Sequence, residues 1–242
     1  MSCGYIYVAS NSVGGVKGTD YVKEAIFSAE SVKKVDPDAQ ICLFTDKPLE
    51  TVTFIFDEIK IVKMSLRCKQ AYLEQSPYDK TILLDTDTYV NHNIRDLFDM
   101  LDKYELVGCN DYSRKRVFPK IPEYMKIPYG FSELNTGVVG YRKSEGFKKF
   151  IDLWNMYYKK YKDVTPWDQP SCRIALWESN INLYMLPLEY NRRAIATKEK
   201  CINLRIKKDP RFDKYHLKTR VFHYHGLADL NDEEKEKKAQ HF

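Results

Sequence analysis

Residues 5–9 form a short apolar run that ends at Asn-Ser and a glycine-bearing stretch, the pattern of a buried strand running into a loop. Thr19 or Asp20 can then cap a helix in which Val22, Ala25, Ile26, Ala29 and Val32 recur at helical spacing, stopped by Asp36-Pro37-Asp38. Residues 40–44 repeat the buried-strand pattern and end at Thr45-Asp46, and residues 54–62 are a weaker strand region. The spacing over 66–75 predicts a helix halted by Ser76-Pro77. A third buried strand, 81–84, runs directly into Asp85-Thr86-Asp87, with a helix at 94–100 and a short strand at 106–109 beyond it.

Residues 111–133 carry three prolines, many charges and no period, which predicts a long loop, and long loops are often functional. Residues 134–141 return as a strand. Ser144 then caps an amphipathic helix whose apolar face is Phe147, Phe150, Ile151, Trp154, Tyr158 and Tyr161. A further helix follows Asp168, and 181–186 and 220–225 read as late strands. From Asn231 the chain is charged and polar, a solvated helix or a tail. Strands alternating with helices over the first part of the chain predict an α/β fold with a mostly parallel, Rossmann-like central sheet flanked by helices. Ligands of such sheets bind beyond the carboxyl ends of the strands, which places the Asn11 loop, Asp46 and Asp85–Asp87 along one crevice.

The 242 residues suit a single domain, and 43% hydrophobic with 30% charged residues is ordinary for a globular chain. With 18 tyrosines, some could line a pocket for ring-shaped ligands, although most are expected to be packing residues. The net charge of +5 is spread over mixed-sign sequence without a Lys/Arg stripe, which suits an anionic small molecule and argues against nucleic acid. Six cysteines without a CxxC pair argue against a zinc or redox motif and for a reducing compartment. The amino terminus has no charged n-region, and no window reaches the ~18–20 apolar residues of a membrane span, so a cytoplasmic location is expected.

Asp85-Thr86-Asp87 is the sharpest chemical signal. In an extended strand end the two carboxylates would share a side, roughly 6–7 Å apart. Charges at the mouth of a buried apolar strand need compensation, and oxygen ligands suit Mg²⁺ or Mn²⁺. His223 and His225 lie on one face of the last strand, and an imidazole added to the carboxylates favours Mn²⁺. Asn135-Thr136-Gly137 at a strand start could hold sugar hydroxyls, or simply form a turn. Asp168-Gln169, after Pro166-Trp167, could bind a sugar with Trp167 as a stacking platform, or Asp168 could be a helix N-cap.

In order along the chain, these pieces resemble the GT-A fold glycosyltransferases, and most closely family 8, the glycogenin/galactosyltransferase-like group. The likeness runs from about Tyr5 to Gly226. YIYVASN resembles the group's nucleotide-binding first strand, which implies that Ala9 and Asn11 contact the base and ribose. RCKQAYLEQSPYDKTILLDTDTYV is similar to its helix–strand–DxD block. That implies donor contacts for Arg67, Lys69 and Thr86, and implies that Asp85 and Asp87 hold Mn²⁺ and the ribose–diphosphate. LNTGVVGY places Asn135 and Gly137 at the donor sugar, and WDQ places Asp168 and Gln169 beside the transferred sugar and the acceptor. LPLEYN is similar to a Leu-Pro-containing stretch of the group. HYHG makes His223 the third metal ligand and Gly226 a neighbour of the diphosphate. The group's Lys-Pro-Trp after this motif is replaced by LADLND, so Lys17 or Lys69 would have to supply that cation.

The resemblance implies a metal-dependent glycosyltransferase. It would move a hexose from a nucleoside-diphosphate sugar, UDP-hexose, to a hydroxyl of a glycan, protein or small molecule, with retention of configuration. In an inverting enzyme Asp168 would be the candidate general base. The nucleotide-binding part would span about 1–110, the sugar and acceptor part 111–230, and a tail 231–242. The alternatives are a haloacid-dehalogenase-type phosphatase using Asp85 and Asp87, a sugar-1-phosphate nucleotidyltransferase suggested faintly by VGGVKGTD, and a non-catalytic nucleotide-sugar- or glycan-binding protein.

Overall fold

The computed structural model describes residues 1–13, 19–49, 54–65, 67–111, 118–193 and 219–223. Strand β1 (Cys3–Val8) is followed by helix α1 (Tyr21–Val35), β2 (Ile41–Thr45), β3 (Glu58–Ile61), β4 (Lys80–Leu84), β5 (Thr88–Val90) and α2 (Asp96–Met100). The second half holds β6 (Leu106–Asn110), α3 (Pro122–Lys126), β7 (Leu134–Arg142), α4 (Glu145–Tyr161), α5 (Gln169–Ser179), β8 (Leu183–Leu186), β9 (Arg192–Arg193) and β10 (Val221–His223). A 7-stranded sheet runs in the order β3-β2-β1-β4-β7-β6-β8, and β5, β10 and β9 form a small second sheet.

β3, β2, β1 and β4 run parallel to one another, β6 and β8 pair in parallel, and β7 is antiparallel to both its neighbours, β4 and β6. From β1 the chain steps outward to β2 and β3, then returns to β4 on the other side of β1. The strand order therefore reverses between β1 and β4. This opens a crevice beyond their carboxyl ends, the place where ligands of open α/β sheets bind.

Alternation along the strands divides the core between the two faces of the sheet. Tyr5, Tyr7, Ile41, Leu43, Ile82 and Leu84 pack on one face with Ala25, Ala29 and Val32 of α1. Ile6, Cys42, Phe44 and Leu83 pack on the other with Phe147, Phe150, Ile151 and Trp154 of α4. Burial of each large apolar side chain contributes about 1.5–3 kcal/mol. The tyrosines are mainly of this kind. Tyr7 shares a hydrogen bond with Ser28 Oγ at 2.9 Å, and Tyr141 donates to the Leu73 carbonyl at 2.7 Å.

Capping is local and matches the sequence. Asp20, rather than Thr19, caps α1 by accepting the Lys23 N–H at 2.9 Å. Ser144 accepts the Phe147 N–H at 3.0 Å and donates to Glu105 at 2.5 Å, fixing the start of α4. On α4 the buried tyrosines are Tyr157 and Tyr161, whereas Tyr158 is only half-buried. Tyr157 turns instead toward Ile121, Tyr124 and Ile127, a small apolar cluster inside the segment expected to be a plain loop. Pro122 starts the short helix α3 there.

The helix expected over 66–75 is a 3-10 segment, Lys69–Gln75. It is confined between Arg67, whose φ of 54° is left-handed, and the stop at Ser76-Pro77. Three residues per turn align i with i+3, so Gln70 and Leu73 are buried on one face. The stretch from 224 onward, including the expected tail, lies outside the described residues.

Ser144→Ala should lower stability by about 1 kcal/mol, read as a reduced urea midpoint at unchanged m value.

Candidate metal centre and cleft

The Asp85–Asp87 segment leaves β4 as a turn rather than as extended strand. Asp85 N–H donates to the Gly137 carbonyl at 2.8 Å, and Thr88 Oγ1 closes the turn on the Asp85 carbonyl at 2.8 Å. Thr86 donates to Glu24 of α1 at 3.1 Å. The turn draws the two carboxylates closer than the extended spacing would. Ligand atoms of Asp85, Asp87 and His223 all lie within 4.8 Å of one another.

His223 Nε2 faces Asp87 Oδ1 at 3.2 Å and Asp85 Oδ2 at 3.8 Å. Its other nitrogen, Nδ1, lies 2.9 Å from Asn191 Oδ1. Asn191 uses its amide nitrogen to donate to Asn135 Oδ1 at 2.8 Å, so its oxygen is left to accept from the imidazole. Nδ1 therefore carries a proton, and Nε2 points between the carboxylates. Gly137 closes the arrangement. A Cβ there would overlap Cε1 and Nδ1 of the His223 ring, so only glycine leaves room for the imidazole. Two carboxylates and an imidazole, brought to one point and mostly buried, could hold a divalent cation.

Lys69 Nζ donates to Asp85 Oδ1 at 2.6 Å and to the Thr136 carbonyl at 2.9 Å. Burial opposes its charge, yet Asp85, then Asp168 and Asp87, hold its pKa above the usual lysine value. The ammonium thus neutralises one oxygen of Asp85 and leaves the other facing His223.

Asp168 occupies the N-cap position of α5 but makes no capping hydrogen bond. Its carboxylate is instead 3.4 Å from Thr136 Oγ1, and its backbone carbonyl accepts from Trp154 and Ser171. Gln169 and Asn135 both donate to Asp111 Oδ2, at 2.5 and 3.3 Å. A chain of amides and one carboxylate therefore links Gln169 to His223.

These groups border a cleft of about 720 Å³ at the β1–β4 crevice, within the ordinary size range of a small-molecule site. Ala9, Arg67, Lys69, Asp85, Thr86, Asp87, Asn135, Asp168, Gln169 and His223 line it, so ten of the sequence candidates converge. Three candidates have other positions. Asn11 is tied to the start of α1, accepting from Val22 N–H at 3.2 Å and donating to Asp20 at 2.7 Å, and Ser10 reaches the cleft in its place. Gly137 lies beneath the His223 ring rather than on the cleft wall. Asp46 is held by Ser10 and Ser12, away from the cleft lining. Lys17, His225 and Gly226 lie outside the described residues.

Sequence reasoning passed over Asp111, Asn191 and Arg193. Asp111 stood at the edge of an unstructured-looking loop. Asn191 sat unremarked inside LPLEYN, and Arg193 follows it without a local motif. Tyr21 is the one tyrosine among the described residues that lines the cleft.

No family model matches the chain, and no curated protein matches it in sequence. Solved structures do match. The galactosyltransferase LgtC, in complex with donor and acceptor sugar analogs, is 15% identical, with 92% of this chain and 87% of that one covered and a TM-score of 0.62. The glycosyltransferase GlyE of Streptococcus pneumoniae TIGR4 is 15% identical at a TM-score of 0.57, with 91% of this chain covered and 54% of that one. Mouse xyloside xylosyltransferase 1 is 12% identical at a TM-score of 0.55, with 94% and 99% covered. No helix among the described residues is long and apolar enough to cross a membrane.

Gly137→Ala should destabilise the protein by about 1–3 kcal/mol through overpacking against the imidazole, measured by denaturant unfolding. The chain has the GT-A fold, a mixed α/β sheet flanked by helices.

Proposed function

We propose that this protein is a metal-dependent glycosyltransferase that moves a hexose from a nucleoside-diphosphate sugar, UDP-hexose, to a hydroxyl acceptor with retention of configuration. The observation that carries the reading is the Asp85–Asp87–His223 cluster, set with Nε2 of the imidazole inward at the switch point of a GT-A sheet.

Asp85, Asp87 and His223 would hold Mn²⁺, with Mg²⁺ as the second choice. When bound, the ion supplies charge neutralisation of the diphosphate and stabilises it as a leaving group. The remaining work falls to side chains. Asn191 keeps the His223 proton on Nδ1, and Gly137 leaves space for the ring. Lys69 screens Asp85, so that the site need not accommodate the full charge of three neighbouring carboxylates before donor arrives.

Asp168, freed from capping, and Gln169 and Asn135, oriented by Asp111, would present a carboxylate and two amides to sugar hydroxyls. Such preset polar groups orient the sugar and cost no reorganisation during transfer. Ala9, Ser10 and Tyr21, at the end of β1 and the start of α1, would border the nucleoside. Trp167 lines the same cleft and offers a ring face to the sugar or acceptor.

Calorimetry with UDP-glucose, UDP-galactose and a GDP-sugar, in Mn²⁺ and then in EDTA, tests the reading. Binding of one donor only with metal is the expected result, and equal binding in EDTA would remove the metal from the mechanism. Asp87→Ala should abolish the metal-dependent part. Asn191→Ala, which frees the imidazole to rotate and change tautomer, should weaken Mn²⁺ binding by roughly 10- to 100-fold in a paramagnetic resonance titration.

A further inference from the structure

We propose that Arg193 grips the diphosphate of the donor nucleotide, an inference that rests on the reading of the cleft as a nucleotide-sugar site. Arg193 and His223 are registered partners in the parallel pair β9–β10. Neighbouring strands lie about 4.8 Å apart, and registered residues project from the same face, so both side chains leave the small sheet toward the cleft that they line. Arg193 lines the cleft together with Asp85, Asp87 and His223, whereas Arg192, one residue earlier, does not.

Among the described residues its charge is also uncommitted. Lys69 is engaged by Asp85 and the Thr136 carbonyl. Arg67 enters from the loop ahead of the 3-10 segment, not from a strand beside His223. The Arg193 side chain makes no hydrogen bond or ion pair with another described residue, although it is only half-exposed and lines the cleft beside Asp85 and Asp87. A cation poised there without a partner among the described residues fits an anion that spans from the metal ligands toward the strand edge. A diphosphate has that charge and length. A guanidinium suits it better than an ammonium, because its fork can bind two phosphate oxygens at once.

The test is a pair of titrations on the full chain, UDP in the presence of Mn²⁺ by calorimetry and Mn²⁺ alone by paramagnetic resonance. Arg193→Ala should weaken UDP by roughly 10- to 100-fold, the range for losing a charged hydrogen-bond donor. It should leave Mn²⁺ binding unchanged, which a general loss of structure would not. Arg193→Lys should restore part of the UDP affinity, since it returns the charge without the fork. If Arg193→Ala binds UDP as tightly as the parent protein, the assignment of Arg193 is wrong while the site reading stands. If the parent protein itself shows no metal-dependent UDP binding, the site reading fails and takes this inference with it.

Discussion

Two carboxylates at the mouth of a buried strand set the terms for the rest of this structure. Asp87 is only 6% exposed, and a buried charge is costly unless it is paired or coordinated. Each neighbouring element supplies part of the compensation. The 3-10 segment brings Lys69 to one oxygen of Asp85, and β10 brings His223 to face both acids. The turn itself is hung from β7 through the Gly137 carbonyl and from α1 through Glu24 and Thr86.

The antiparallel strand β7 has a central part in this. Its placement between β4 and β6 puts Asn135, Thr136 and Gly137 directly beside the carboxylate turn. From there a single polar chain runs through Asn191 to the imidazole and through Asp111 to Gln169. Such a chain orients the groups at its ends, so Asn191 and Asp111 act on the site through His223, Asn135 and Gln169. Gly137 is the steric counterpart: a missing side chain is what admits the imidazole.

The second half of the chain is where local reading and structure diverge. A capped, periodic helix such as α4 is visible in sequence because Ser144 and its apolar stripe are all local. The identity of the inward tyrosine is not local. Tyr157 is buried because Ile121, Tyr124 and Ile127 of the preceding segment close over it, a contact between residues far apart in sequence. Likewise Asp168 carries the sequence signature of an N-cap and sits in that position. Its side chain lies instead near Thr136.

By itself the sequence determined the buried strands, their alternation with helices, the cap at Ser144, and the two carboxylates at the end of β4. Each of these depends on the period and polarity of neighbouring residues, which a linear reading contains. Tertiary structure alone decided that Asn11 braces α1, that Gly137 underlies His223, and that Asp111, Asn191 and Arg193 join the site. Those roles arise from strand order and register. Pairing β9 with β10 and wedging β7 beside β4 bring together side chains whose local sequence says nothing of their partners.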